Sequence, residues 1–284
     1  MPWIDWVWEK NPIVSLFKEK SSPFFIFAMD LVRKRAEELM KLQKQGKSSG
    51  PRLFIDRFLE AQKKHPDVVD DRIVGIYTTS NIVAGSDTVA IVLRTIVYMV
   101  IRHAEVLKKL REELAGAQLS FPVTWEESQK LPYLSAVIEE ALRIHPPVGF
   151  GLERVVPAEG LELDDGTRIP QGVQVGMNAW VLHQDRVFGP APSSFKPERW
   201  LKGDNESEND YQERLAAMKR TWLPFGHGSR TCMGKHISYL EIYKLVPTMF
   251  SKLEFELCKG EKEWKTVCSW FVRQWDMDCY IRKR

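Results

Sequence analysis

The pattern of apolar and polar positions along the first two thirds of the chain reads as mostly helical. Ser22-Pro23 predicts a helix start, and Gly46 follows its basic end at Lys41 and Lys44. KQGKSSGP at 44–51 reads as a flexible loop. A second helix is predicted over Arg52–Lys64, stopped by Pro66, and a long one over Val68–Arg102. A charged helix reaches Leu114 and ends near Gly116. Thr124 and Glu127 make a capping box, and Pro132 opens a helix that Pro146-Pro147 close. From Gly151 to Met177 the runs become short and β-branched, and LELDDGTRI at 161–169 places an Asp-Gly turn between two strand-like arms. GDNESEND at 203–210 reads as a polar loop. One more helix follows Cys232 to about Phe250, and the residues beyond it alternate as strands do. No internal repeat is present. The pattern predicts a mainly α chain with a small β part (α+β) and its small sheet in the second half.

With 284 residues, 44% of them hydrophobic, the chain is long enough for a sizeable core. A net charge of +3, spread along the sequence, argues against nucleic acid as a partner. Cys232, Cys258, Cys268 and Cys279 form no Cys-x-x-Cys pair, which argues against a zinc site, and their low density against a disulfide framework. Both point to a reducing compartment. Asp5, Glu9 and Lys10 interrupt any leader-like apolar run. Trp3, Trp6 and Trp8 read as a core-packing turn rather than an interfacial anchor. The apolar stretch Ile73–Ile101 carries Asn81, Asp87 and Arg94, each costly in lipid, and reads as a buried helix of a soluble protein.

Candidate chemistry begins at FGHGSRTCMG, Phe225 to Gly234. Gly226, Gly228 and Gly234 open space around Cys232, Arg230 adds a cation two residues away, and a helix is predicted to start beside the thiol. The thiol has three uses: an inert core residue, a nucleophile served by His183, His227 or His236, or a metal ligand. A thiolate in a Gly-rich, Arg-bearing loop suits an iron porphyrin, which needs close backbone approach and cations for its propionates. NIVAGSDTVA, 81–90, sets a Gly-Ser weak point beside the acid-alcohol pair Asp87-Thr88. Flanking apolar residues predict an Asp87 that is not fully exposed, and a buried acid beside an alcohol such as Thr88 can pass protons to a bound oxygen species; the bland reading is a packing notch and a solvated acid. In EEALR, Glu140 and Arg143 are one helical turn apart, and FKPERW adds a Glu-Arg couple at 198–199. Alone, each is a weak surface pair.

Taken in order, Ala-Gly-x-Asp-Thr at 84–88, Glu-x-x-Arg at 140–143, Pro-Glu-Arg at 197–199 and Phe-x-x-Gly-x-Arg-x-Cys-x-Gly at 225–234 resemble the haem-thiolate monooxygenases of the cytochrome P450 superfamily. AGSDT and PFGHGSRTCMGKHIS are most similar to the fungal pisatin-demethylase-like branch, which implies a place in fungal secondary metabolism. The resemblance covers essentially the whole chain, as a single haem-thiolate domain over 1–284 and a C-terminal portion of the P450 fold. It implies that Cys232 is the axial ligand of haem b iron, that Phe225 packs by the sulfur, and that Arg230 and Arg154 pair with propionates. Asp87 and Thr88 correspond to the oxygen-activation pair, and Glu140, Arg143 and Arg199 to a buried structural triad. The implied reaction inserts one atom of O2 into a small apolar organic substrate, with electrons from a separate NADPH-dependent flavoprotein reductase that could meet Lys235, His236 and Lys244. The family's N-terminal portion, with its membrane anchor and several strands, has no counterpart here. Membrane contact is expected only through that portion, on the cytoplasmic side of the endoplasmic reticulum; without it the expectation is cytoplasmic. Strands after Gly151 are expected to show an open edge. The rival expectation is a truncated, non-catalytic remnant that binds haem weakly or serves as an interaction fragment.

Overall fold

Proline suits the first turn of a helix, where its missing N–H costs nothing, and Pro23 and Pro132 both open helices in the computed structural model. The structure describes residues 22–48, 50–258 and 263–284; the expectations on Trp3, Trp6, Trp8, Asp5, Glu9 and Lys10 lie outside them. The chain divides into two compact units, residues 1–86 and 87–284. Helix α3 (Asp71–Arg102) runs unbroken through the division, Gly85-Ser86 included.

In the first unit, α1 (Pro23–Lys44) packs on α2 (Phe54–Lys64). Arg35 on α1 meets Asp56 on α2 in a two-bond fork, Nε to Oδ1 at 2.7 Å and Nη2 to Oδ2 at 2.8 Å, with both side chains buried. Val32, Val69 and Val74 form the small core around them. Gly75 on α3 admits the α1 side chains: a Cβ there would fall 2.6 Å from Met29 Sδ.

In the second unit the remainder of α3 is the central core helix. Val89, Val92, Ile96 and Val100 are buried against α4 (Ala104–Gly116), α6 (Pro132–Ile144) and α9 (Lys235–Lys252). By length and composition α3 is also the one helix among the described residues apolar enough to cross a membrane. The capping box forms at α5 (Trp125–Ser128), where Glu127 N–H bonds to Thr124 Oγ1 at 3.2 Å and Thr124 N–H to the Glu127 carboxylate at 2.8 Å.

Four antiparallel two-stranded ribbons complete this unit among the described residues. β1 (Leu152–Val155) pairs with β4 (Gln174–Met177), and β2 (Leu161–Glu162) with β3 (Arg168–Ile169) across the expected Asp-Gly turn. Among the described residues, β1 and β4 each keep an edge with no strand beside it. After the short α7 (Ala179–Leu182) comes α8 (Glu208–Thr221), which the sequence reading missed. Its N-cap Ser207, accepting Asp210 N–H at 3.1 Å, lies inside the stretch read as a polar loop. β5 (Leu253–Leu257) pairs with β8 (Cys279–Lys283), and β6 (Lys265–Cys268) with β7 (Val272–Trp275).

Candidate cofactor site

The loop from Phe225 to Gly234 is tied by its own backbone. Cys232 N–H donates to Phe225 O at 2.8 Å, Gly226 N–H to Leu223 O at 3.1 Å and Thr231 N–H to Gly228 O at 3.1 Å. These closures need left-handed residues, and Gly226 and Gly228 supply them, both at φ 69°. Gly234 caps α9 at φ −82°, with its Cβ position 3.8 Å from Cys232 Sγ. Cys232 itself precedes the first turn of α9 rather than forming part of it, and its side chain is exposed on the loop.

Phe225 packs from behind, its ring centroid 5.2 Å from Tyr239 on α9, with Lys235 Nζ 5.9 Å from the ring centre. Arg154 on β1 donates to Glu153 O at 2.8 Å and to His227 O at 3.3 Å, so it braces the loop. An apolar cavity opens in front of the loop. Cys232, Phe225 and Arg230 form one wall, Thr88 and Val92 of α3 another, and Phe150 part of the rim. The structure therefore brings Cys232, Phe225, Gly226, Arg230 and Thr88 around one space.

Asp87 is not fully exposed, in line with its apolar neighbours, though it is not buried either. Its side chain is 39% exposed and pairs with Arg273 on β7, Nη2 to Oδ2 at 2.8 Å. The helix turns this position toward a strand residue 186 positions away in sequence.

Glu140, Arg143 and Arg199 do converge, beneath the loop. The Glu140 carboxylate accepts from Arg143 Nε and Nη2 at 2.8 and 2.7 Å, from Arg199 Nε at 2.9 Å, from Lys196 N–H at 2.8 Å and from Trp200 Nε1 at 2.9 Å. Glu140 and Arg143 have no exposed surface. The couple read within FKPERW does not form: Glu198 instead bonds Lys109 Nζ at 2.7 Å and Tyr133 at 3.0 Å. Arg199 turns inward, where its other donors meet the carbonyls of Phe188 and Ser194.

His183 is removed from the list of bases for Cys232. Its Nδ1–H donates to Arg143 O at 2.9 Å while Nε2 accepts Leu223 N–H at 2.8 Å, so both ring nitrogens hold backbone. Burial pushes its pKa down to about 4 and keeps the ring neutral. Among the described residues no histidine bonds Cys232. Sequence reasoning missed Glu139, which faces α9 opposite its neighbour Glu140: Tyr239 hydroxyl approaches its Oε1 at 3.4 Å, and burial pushes the carboxyl up to about 7. It also missed Trp200 as a ligand of Glu140, and Arg273 and Gln274 on β7; tertiary pairing placed them, and no local spacing signals it.

The donor set limits what the cavity can hold. Among the described residues no cluster of three or more His, Cys, Asp or Glu could hold a bare metal ion. A lone thiol beside an arginine in an apolar cavity fits a group that brings its own equatorial ligands and its own acids. Left-handed Gly226 lines that space and leaves the loop backbone uncovered there, so a flat macrocycle with propionates fits the residues present.

A family model for cytochrome P450 matches residues 2–275. A cytochrome P450 monooxygenase of Aspergillus terreus is 43% identical over 260 residues, 89% of this chain and 51% of the relative. The cytochrome P450 monooxygenase cicH of Emericella nidulans is 39% identical over 277 residues, 96% of this chain and 53% of the relative. The chain thus spans about half the length of the curated relatives it matches. A crystal structure of a cytochrome P450 superposes with a TM-score of 0.67 at 24% identity, covering 90% of this chain and 56% of that one, a likeness of fold.

Proposed function

The chain belongs to the cytochrome P450 family, and we propose that it is the haem-thiolate part of a monooxygenase acting on a small apolar organic substrate. The observation that carries this reading is one thiol, Cys232, and one alcohol, Thr88, on the walls of a single apolar cavity. Cys232 Sγ would hold haem b, Gly226 and Gly228 would let the main chain approach it, and Arg230 and Arg154 would receive its propionates. Phe225 would pack by the sulfur and tune the iron. When bound, haem supplies O2 activation, favoured by electron density from the thiolate.

The balance of the reaction is one O2, two electrons and two protons for one hydroxylated product and one water. The chain's own contribution is to sort these. Val89, Val92, Leu142 and Ile242 make a dry wall for an apolar substrate. Asp87, half-exposed, takes protons from solvent, and Thr88 holds one at the cavity wall. Glu140 with Arg143 and Arg199 keeps the layer under the loop fixed. A flavoprotein reductase fed by NADPH delivers electrons, and Lys235, His236 and Lys244 offer it a basic face. The wording of AGSDT and PFGHGSRTCMGKHIS supports the pisatin-demethylase-like branch, and the family's usual place is the cytoplasmic face of the endoplasmic reticulum.

A second reading, a chain that binds haem weakly without turnover, is favoured by the exposure of Cys232 and the bare edges of β1 and β4. Incubation of the haem-loaded chain with reductase, NADPH and isotopically labelled O2 separates the two. One labelled oxygen atom in an apolar aromatic probe supports the monooxygenase; substoichiometric, readily lost haem with no labelled product across a panel of such probes supports the second.

A further inference from the structure

Strand β7 grips α3 at the turn that carries the acid-alcohol pair. Its burial alternates, Val272 and Gln274 inward, Arg273 and Trp275 outward. Arg273 Nη2 holds Asp87 Oδ2 at 2.8 Å. Gln274, 1% exposed, sends Nε2 to Ile91 O at 3.0 Å and to Thr95 Oγ1 at 2.8 Å. Thr95 Oγ1 donates to the same Ile91 carbonyl at 2.8 Å, and Arg94 Nη2 returns a bond to Gln274 O at 2.7 Å. Positions 88, 91 and 95 share one stripe of the helix, and 87 and 91 are one turn apart. Two adjacent strand residues therefore hold both the carboxylate of Asp87 and the Ile91 carbonyl, three residues on from Thr88.

The other side of β7 is tied to the cavity rim. Val272 N–H donates to Pro147 O at 2.9 Å, His145 Nε2 bonds Val272 O at 2.9 Å, and Val148 bridges Phe271. Pro147, Val148 and Phe150 line the cavity, and Phe150 packs on Trp270 at the tip of the β6–β7 hairpin, ring centroids 4.6 Å apart. The strand thus joins the rim to the proton-bearing turn. Stability alone does not account for the Arg273–Asp87 pair, because both side chains are well exposed, 50% and 39%, and such pairs contribute little. A buried glutamine with an acceptor, Oε1, that has no partner among the described residues is likewise a costly way to pack a strand.

We infer that Arg273 and Gln274 are positioning residues for the Asp87-Thr88 pair, and that their hold on α3 sets how the loaded chain divides O2 between peroxide and water. The inference rests on the haem-thiolate reading. Peroxide takes two electrons and two protons per O2 and water takes four of each, so better proton supply at Thr88 favours water. NADPH, through the reductase, is the reductant in both cases.

The test uses the full chain in wild type, Arg273→Ala, Arg273→Lys and Gln274→Leu forms. With haem, reductase and NADPH, and no organic substrate, peroxide released per O2 consumed is expected to rise about twofold or more in Arg273→Ala and to return toward wild type in Arg273→Lys, with the carbon-monoxide spectrum unchanged. A peroxide share equal to wild type in Arg273→Ala, or a rise that Arg273→Lys does not reverse, overturns the inference. Amide hydrogen exchange in the haem-free chain is a separate arm that does not depend on the haem reading. Amides 88–95 are expected to exchange about tenfold faster in Arg273→Ala and Gln274→Leu, with α4 unchanged. Unaltered protection of that segment in both variants shows that β7 does not hold the turn and overturns the inference. A wild-type chain without a thiolate-type carbon-monoxide band defeats the haem reading instead, and the exchange result then decides the grip by itself.

Discussion

Glu140→Ala is expected to be among the most destabilising single substitutions in this chain. Five donors end on this carboxylate, three from Arg143 and Arg199 and two from Lys196 N–H and Trp200 Nε1. Removing it leaves Arg143, with no exposed surface, and Arg199, 5% exposed, as two neighbouring cations that share only the Ser194 carbonyl, each at 3.1 Å. Breaking a buried pair by deleting one partner costs about 3–5 kcal/mol, whereas an exposed pair is worth about 0–1 kcal/mol. Against a total stability of about 5–15 kcal/mol, the loss is about a fifth or more of the fold's margin. At about 2–4 °C per kcal/mol for a unit of this size, the midpoint falls by about 6–20 °C. Urea and thermal unfolding followed by near-ultraviolet circular dichroism read it through the packed Trp200–Trp222 pair, whose ring centroids are 6.1 Å apart. Lys109→Ala, which opens the half-exposed Lys109–Glu198 pair, is the control and is expected to shift stability by about 1 kcal/mol or less. A Glu140→Ala loss no larger than that of Lys109→Ala refutes the reasoning, because the triad would then be held by packing and not by its charges.

Thr88→Ala is expected to lower product per NADPH and raise peroxide, and equal product yield per electron in the two forms contradicts its role. Gly226→Ala and Gly228→Ala, both at φ 69°, are each expected to cost about 1–2 kcal/mol in urea unfolding, while Gly234→Ala, at φ −82°, is free of that strain; equal losses at all three positions contradict the loop account. Burial lowers His145 and His183 from 6.5 to about 4, so the unfolded chain takes up protons that the folded chain refuses. Their contribution is complete above pH 6.5 and fades as pH falls toward about 4, while Glu139, raised to about 7, acts in the opposite sense between its ordinary 4.5 and about 7. Two groups against one leave a net fall in the urea midpoint from pH 6.5 to 4, steeper in Glu139→Gln; a flat profile in that variant contradicts the burial of the histidines.

Local signals carried most of the fold. Prolines, glycines and the Thr124–Glu127 box marked helix ends to within a few residues, and the Asp-Gly turn marked the β2–β3 hairpin. α8 escaped because its residues are mostly polar, with Met218 the one buried side chain, so no apolar stripe announced it. The candidate site was legible where one short segment makes it, as in the Cys232 loop. It was not where distant segments meet. Asp87 read as not fully exposed from its neighbours, but its partner Arg273 stands 186 residues away, where no local signal points. Glu198 stood beside Arg199 in sequence, yet successive residues of the short turn Pro197–Trp200 point to opposite sides, one to Lys109 and the other to Glu140.

The central claim, that Cys232 is the one thiolate on haem iron in this chain, is tested most directly by the ferrous carbon-monoxide difference spectrum. Wild-type protein loaded with haem b is expected to give a thiolate-type Soret band, and Cys232→Ser to lose it while Cys258→Ser, Cys268→Ser and Cys279→Ser keep it. A wild-type spectrum without that band, or an unchanged band in Cys232→Ser, contradicts the account.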